Sequence, residues 1–404
     1  MKSINELDLK GKSVIVRVDF NVPMRDGSIT DDSRIKAAIP TLKELAKNNC
    51  KVILLSHLGR PQKDTDSQGN IKKKTYSLRL VAERLNELLP YSVSFVDENT
   101  GEKVTEAASK LKEGEFLVLE NTRFAEGEKN NSAALAADWR ALGEIYVNDA
   151  FGTAHRNHAS TVALAEQFNP DSKGAGLLMS KEVAEGYSVL ENPTSPVVAV
   201  VGGSKVSDKI GLLENMIDLA DEIIIGGGMA YTFIAAQGGL VGNSLLEEDY
   251  FQLARKIVKK AKDNNTGIHI PEDSVVADQF HRDAKTKVVS SREISDDWMG
   301  LDIGPKAAEQ FQKIIMKAGT IIWNGPMGVF EMQPFAKGTE KIAIAIADAT
   351  SRGAYSLVGG GDSASAVQVL DLTDRMSHIS TGGGAMLTLL EGKPLPAVVA
   401  LESS

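Results

Sequence analysis

One pattern recurs along the whole chain and limits what it can fold into. A short apolar, β-branched run stops abruptly at Gly, Asn, Asp, His or Arg, and a stretch with helical spacing follows. The run Val197 to Val201 is the clearest case: it ends at Gly202-Gly203-Ser204-Lys205, with Lys209 one helical turn beyond Lys205. Strands buried on both faces of a parallel sheet read as continuous apolar runs, and their alternation with helical stretches argues for βα units. Adjacent glycines after such a strand can bring backbone N–H groups close to phosphate oxygens, so this turn reads as a strand opening onto an anion.

In the first half, Val14–Val18 leads into Asp19-Phe20-Asn21, and Lys51–Leu55 into Ser56-His57-Leu58-Gly59-Arg60-Pro61. Phe116–Leu119 runs into Glu120-Asn121-Thr122-Arg123, and Ile145–Val147 into a turn that reaches His155-Arg156. Helical spacing covers Ile35–Ala46 and Ser77–Leu88, while Gln62–Lys74 reads as a polar loop. From Gly174 to Asn192 one long helical stretch runs up to Pro193 and Pro196, which close it because the residue before a proline avoids the α region. We take residues 174–192 as a bridge between a first domain (1–173) and a second (193–390).

In the second half, the runs at Val197, Glu222–Ile225, Thr320–Trp323 and Tyr355–Val358 each end in glycines, and Ala397–Leu401 reads as a last strand. The expected fold is α/β: two Rossmann-like lobes, each a mostly parallel sheet flanked by helices, joined by a hinge helix.

With 404 residues, two domains of ordinary size are expected. A net charge of −9 argues against a nucleic-acid or membrane-surface binder, so a phosphate site must be a local gathering of cations. The single Cys50 supports neither an internal disulfide nor a cysteine-based zinc site. Nothing in Met1–Glu6 resembles a signal core, so a cytoplasmic location is expected.

In open parallel sheets ligands bind at the carboxyl ends of the strands, and sorting the motifs by half gives two chemistries. The first half collects Arg34, His57, Arg60, Arg123, His155, Arg156 and His158, with Asp19 and Asn21, a set suited to a small anion carrying carboxylate and phosphate. The second half offers glycines with Lys205, Lys209, Glu331 and Asp362, which suits a nucleotide, although no P-loop is present. Plainer readings compete. Asp362-Ser363 could be a helix N-cap, Arg17 reads as a structural ion-pair residue within its strand, and His269, His281 and His378 read as structural.

With these motifs in order, the chain resembles the phosphoglycerate kinases along its whole length. The carrying stretches are Arg17–Pro23, Ser56–Pro61, Glu120–Phe124, Gly152–Arg156, Gly202–Val206, Trp323–Pro326 and Gly359–Asp362. The resemblance implies that Asp19, Asn21, Arg34, His57, Leu58, Gly59, Arg60, Arg123 and Arg156 bind 3-phosphoglycerate. Lys205, Lys209, Gly227, Gly228, Gly300, Leu301, Asn324, Glu331, Gly359, Gly360, Gly361, Asp362 and Ser363 would bind ADP or ATP, with Mg²⁺ positioned by Asp362 and by the nucleotide phosphates. It also implies a monomer, closure of the two domains, and a tail, about 391–404, that returns to the first domain. The reaction implied is phosphoryl transfer between 1,3-bisphosphoglycerate and ADP. In reverse its nucleophile is a carboxylate, ionised at neutral pH, so no general base is needed and catalysis rests on alignment and charge, with Arg34 and Lys205 as the catalytic pair.

Overall fold

A computed structural model describes residues 1–403, which divide into two compact units: Met1–Ala184 with the tail from Pro394, and Glu185–Lys393. The division falls within the helix Leu177–Glu191.

In the first unit β1 (Ser13–Arg17), β2 (Lys51–Leu55), β3 (Val93–Phe95), β4 (Phe116–Val118), β5 (Ile145–Asn148) and β6 (Lys173–Ala175) form one sheet, in the order β3-β4-β2-β1-β5-β6. Every pairing is parallel, with Val14 opposite both Val52 and Ile145. The helix Ser33–Lys47 turns Ile35, Ala38, Leu42 and Leu45 into the core formed by Val14, Val16, Val52 and Leu54. Two helical expectations shift at their starts: Gly174 belongs to β6, and the second helix begins at Arg79. The polar segment 62–74 is folded around Asp66, whose Oδ1 accepts from the amides of Gln68 and Asn70 at 2.8 and 2.9 Å.

The stretch Ala397–Leu401 is not a strand. Pro396–Glu402 is a helix burying Ala397, Val398, Ala400 and Leu401, and the amide of Ala397 donates to Ala154 O at 3.1 Å. Proline at its start and buried positions at i, i+1, i+3 and i+4 suit a helix and break the alternation of a strand.

In the second unit β7 (Val197–Val201), β8 (Glu222–Ile225), β9 (Gly267–His269), β13 (Thr320–Asn324), β14 (Tyr355–Gly359) and β15 (His378–Ile379) form a parallel sheet ordered β9-β8-β7-β13-β14-β15. Between β9 and β13 the chain adds an antiparallel sheet of β10 (Asp273–Ala277), β11 (Thr286–Ser290) and β12 (Met299–Ile303), with β10 central. Strand order reverses between β1 and β5 in the first unit and between β7 and β13 in the second, the crevices where such sheets take ligands. Among the described residues no helix is long and apolar enough to cross a membrane.

Candidate active site

In the first unit three strand-end loops are tied together at Gly59. Its amide donates to Asn21 Oδ1 at 2.7 Å, and its carbonyl accepts from Arg123 Nη1. Only glycine fits there: φ is +62°, and a Cβ would run into the Tyr76 ring. Asn121 fixes the third loop, donating to Leu58 O at 2.8 Å and accepting from the Arg123 amide at 3.0 Å. The Leu58 side chain belongs to the hydrophobic core, so only its backbone serves the loop.

Around this knot lie Arg34, Arg60, Arg123, Arg156 and His57. Asp19 accepts from Arg34 Nη1 at 3.0 Å and from the Asn21 amide at 3.3 Å. The other cations are held among one another. Burial, followed by Arg156 and Arg17, pushes Arg123 down to about 10, and burial with nearby Arg60, Arg17 and Arg34 lowers Arg156 despite Asp19. His57 lies well below its ordinary value because it is buried and faces Arg17, Arg123, Arg156 and Arg34. A site whose cations depress each other's proton affinity is one whose energy falls when an anion enters. The buried Nε of Arg123 has no hydrogen-bond partner among the described residues.

His155 accepts from Arg156 Nε at 3.4 Å. His158 caps a short helical turn, with Nδ1 3.9 Å from the buried Glu128, and burial brings it down to about 4. Sequence reading passed over Lys129, whose amine donates to Gln62 Oε1 at 2.8 Å and is lowered by burial and by Arg123 and Lys63. Its setting, Glu126-Gly127-Glu128-Lys129, reads as a solvated charge run, yet Glu128 is fully buried.

One expectation about this half changes. Arg17 is buried and structural but makes no ion pair among the described residues; it donates to Ser160 Oγ, Val18 O and His57 Nδ1. A side chain in the middle of a sheet can find hydroxyl, carbonyl and imidazole acceptors there without a carboxylate. The other residues of the basin gather as expected.

In the second unit the loops after β7, β8 and β13 interlock through backbone. The amides of Gly202, Gly203 and Gly227 donate to Asn324 O, Pro326 O and Met327 O at 2.9, 3.1 and 3.0 Å. The Gly202-Gly203 amides are therefore already committed, which corrects the reading of that turn as a phosphate cradle. Its glycines serve close packing: a Cβ on Gly227 would lie 2.5 Å from Gly203 O, and one on Gly325 would collide with Gly202.

Donors suited to phosphate lie elsewhere. A cavity of about 200 Å³ is lined by Lys209, Asn324, Gly360, Gly361, Asp362, Ser363, Gly383 and Gly384. The helices Gly361–Val369 and Gly383–Leu390 both begin on it, and first-turn amides carry partial positive charge. Lys209 donates to Asn324 Oδ1, burial lowers its proton affinity, and the buried Nδ2 of Asn324 has no partner among the described residues. Gly359 ends β14 behind Asn324. Gly360, not Asp362, takes the N-cap position; Asp362 lies exposed in the first turn, and Ser363 Oγ accepts from the Gly325 amide at 2.6 Å. Lys205 is exposed on the loop after β7, with no hydrogen bond or ion pair among the described residues.

A larger cleft of about 520 Å³ adjoins at Asp362, lined by Gly203, Ser204, Gly227, Gly228, Gly300, Leu301, Val329 and Glu331. Asn243, Leu245, Phe280 and Pro326 line it too and were not anticipated. Phe280 is 58% exposed, an unusual state for a large aromatic ring, and such a ring at a cleft mouth is the one signal that could have found it. Tyr231 sets the cleft wall, since a Cβ on Gly300 would enter its ring, and its hydroxyl lies 3.1 Å from Ser274 Oγ.

A guanidinium basin on one Rossmann-like unit and a glycine-walled cleft on the other are what a kinase acting on a small acid requires. The family profile described as phosphoglycerate kinase matches residues 4–393. The chain belongs to the phosphoglycerate kinase family. The phosphoglycerate kinase of Thermosipho africanus is 50% identical over 400 residues, covering 99% of this chain and 97% of that protein. That of Lactobacillus gasseri is 50% identical over 404 residues, covering 98% and 97%. Among solved structures, phosphoglycerate kinase from Coxiella burnetii superposes with a TM-score of 0.87 at 40% identity, covering 99% and 98% of the two chains. The Pyrococcus horikoshii enzyme gives 0.83 at 32% identity, covering 100% and 98%. As a phosphoglycerate kinase, the protein catalyses the glycolytic transfer of a phosphoryl group between 1,3-bisphosphoglycerate and ADP, giving 3-phosphoglycerate and ATP.

Proposed function

We propose that the first unit's basin holds the acid and the second unit's two cavities hold the nucleotide. The observation that carries the assignment is the gathering of Arg123, Arg156 and His57, lowered by burial and by neighbouring cations, a state that an anion such as 3-phosphoglycerate relieves. Asp19 and Asn21 would take its hydroxyl, and Arg34, Arg60, Arg123 and Arg156 its charged ends. Adenine and ribose would lie in the larger cleft beside Gly227, Gly228, Gly300, Leu301 and Glu331, with the phosphates between Lys209, Asn324 and the helix starting at Gly361.

Among the described residues no three His, Cys, Asp or Glu side chains gather as a metal cage. Asp362, exposed beside the smaller cavity, fits a Mg²⁺ held largely by nucleotide phosphate oxygens, where the ion would screen phosphate charge. Lys205 and Arg34 would stabilise the moving phosphoryl group; both keep exposed surface, Arg34 at 35% of its side chain. The attacking carboxylate is already ionised, so these residues need to align and neutralise, not to move a proton.

Transfer requires the ligands to meet away from water, so we further propose closure by bending within residues 174–192. The enzyme would act as a cytoplasmic monomer. The test is a coupled assay of ATP formation from ADP and 1,3-bisphosphoglycerate, run with and without Mg²⁺ and over rising salt. The assignment requires the KM for 3-phosphoglycerate in reverse to rise with salt more steeply than that for ATP. Equal slopes would remove the case for a guanidinium basin. Scattering should show compaction only with both ligands present.

A further inference from the structure

Arg17 lies at the end of β1, fully buried, and the established transfer chemistry does not call on it. All three of its nitrogens are engaged. Nη1 donates to Val18 O, Nε to Ser160 Oγ at 2.8 Å, and Nη2 lies 3.2 Å from His57 Nδ1. Ser160 passes its own proton on: Oγ donates to Glu128 Oε1 at 2.7 Å, and Glu128 also accepts from the Ser160 amide at 2.9 Å and from Thr122 Oγ1 at 3.0 Å. The donors diverge from Arg17, to His57 on one side and through Ser160 to a buried carboxylate on the other.

A guanidinium has donors and no acceptor, so the imidazole nitrogen facing it must offer a lone pair. Asp19 Oδ1, which could accept from a protonated Nδ1, is 3.8 Å away, beyond hydrogen-bond reach. The remaining charged groups facing the ring are Arg34, Arg123 and Arg156, all cations that oppose an imidazolium. Nε2 has no partner among the described residues. We propose that Arg17 is a positioning residue that locks His57 as the neutral Nε2–H tautomer, so that the ring offers the ligand a hydrogen-bond donor without adding another positive charge to the basin. What the donor serves rests on reading this basin as the 3-phosphoglycerate site; the tautomer itself does not.

The experiment is ¹⁵N–¹H correlation of the histidine rings in the full-length protein, with His57→Gln to assign the signal. The expected spectrum has an unprotonated Nδ1 and a protonated Nε2 at His57, unchanged from pH 8 down to about 5.5, well below the ordinary midpoint. A protonated Nδ1, or an imidazolium forming near the ordinary value, would overturn the proposal. Arg17→Lys keeps the charge but cannot span Ser160 and His57 together. It should mix the His57 tautomers and raise the KM for 3-phosphoglycerate about tenfold, with the KM for ATP unchanged. A folded Arg17→Lys protein with an unaltered His57 spectrum would also overturn it, and if that variant does not fold, the wild-type spectrum decides alone. Adding 3-phosphoglycerate should shift the Nε2 signal. The assigned tautomer with no such shift would instead count against the basin as the acid site.

Discussion

The two units share a sheet type and place their candidate site residues at the same strand ends, yet they suit phosphate in opposite ways. The first gathers charge on side chains: Arg123, Arg156 and His57 are lowered by burial and by the cations around them. The second keeps its loops nearly free of side chains, and committed glycine amides hold the loops while helix starts at Gly361 and Gly383 face the cavity. Charge on side chains gives a strong, salt-sensitive field that an anion relieves. Backbone donors give a fixed shape with little field, which suits a ligand that brings its own cation.

The largest effect that could break this comparison is at Lys205, the cation placed on the glycine side. Lys205→Ala should lower kcat by about 10² to 10³ with the KM for 3-phosphoglycerate nearly unchanged; near wild-type kcat in steady-state assays would remove its role in transfer. Next comes Arg156→Met, expected to raise the KM for 3-phosphoglycerate about 10- to 100-fold with the KM for ATP unmoved, as suits loss of one charge-assisted contact. If both constants move together, the sites are not separable in this way.

Gly227→Ala tests the other half. With φ at +68° and a Cβ 2.5 Å from Gly203 O, we expect about 1–3 kcal/mol of destabilisation in denaturant titrations and a raised KM for ATP. Binding of 3-phosphoglycerate, followed by calorimetry, should be spared.

The smallest effect sharpens a likeness instead. Each unit buries one carboxyl that burial raises to about 7, Asp149 in the first and Asp302 in the second. Their folded values lie above the unfolded value, so the native state binds more protons between about pH 4 and 7. Their contribution to stability is therefore greatest at the acid end of that window, falls as pH rises through 7, and is flat above it. Asp149 Oδ1 accepts from the amides of Leu178 and Met179 at 3.0 and 3.1 Å, leaving Oδ2 for the proton. Asp149→Asn keeps that pattern and should flatten the dependence of melting temperature on pH across 4 to 7. An unchanged profile would mean that Asp149 is ionised throughout.

Much of this was legible from the chain. Strand ends announce themselves because a β-branched run must stop where the backbone turns, so Asp19, His57, Arg123 and Asp362 could be placed at one edge of each sheet from sequence alone. Three things were not. Ala397–Leu401 is five apolar or small residues, too short for periodicity to separate strand from helix, and burial of the Pro396–Glu402 helix against the first unit settles it. Leu245 and Phe280 reach the larger cleft from the segments between β8 and β12, which follow no βα rhythm. Glu128 and Arg17 hide in plain composition: one sits in a charge run and one in a strand, and only tertiary packing joins them through Ser160.

The interlocked glycines carry a consequence for how such an enzyme can change over generations. At Gly202, Gly227 and Gly325 the space a side chain would take is filled by the backbone of a neighbouring loop, and each loop is a neighbour of another. No single replacement there can be neutral, because it must displace backbone and not a movable side chain. Variation around the larger cleft is therefore channelled outward to the rim, to Leu245 and Phe280, where side chains stand 45% and 58% exposed and can be exchanged one at a time.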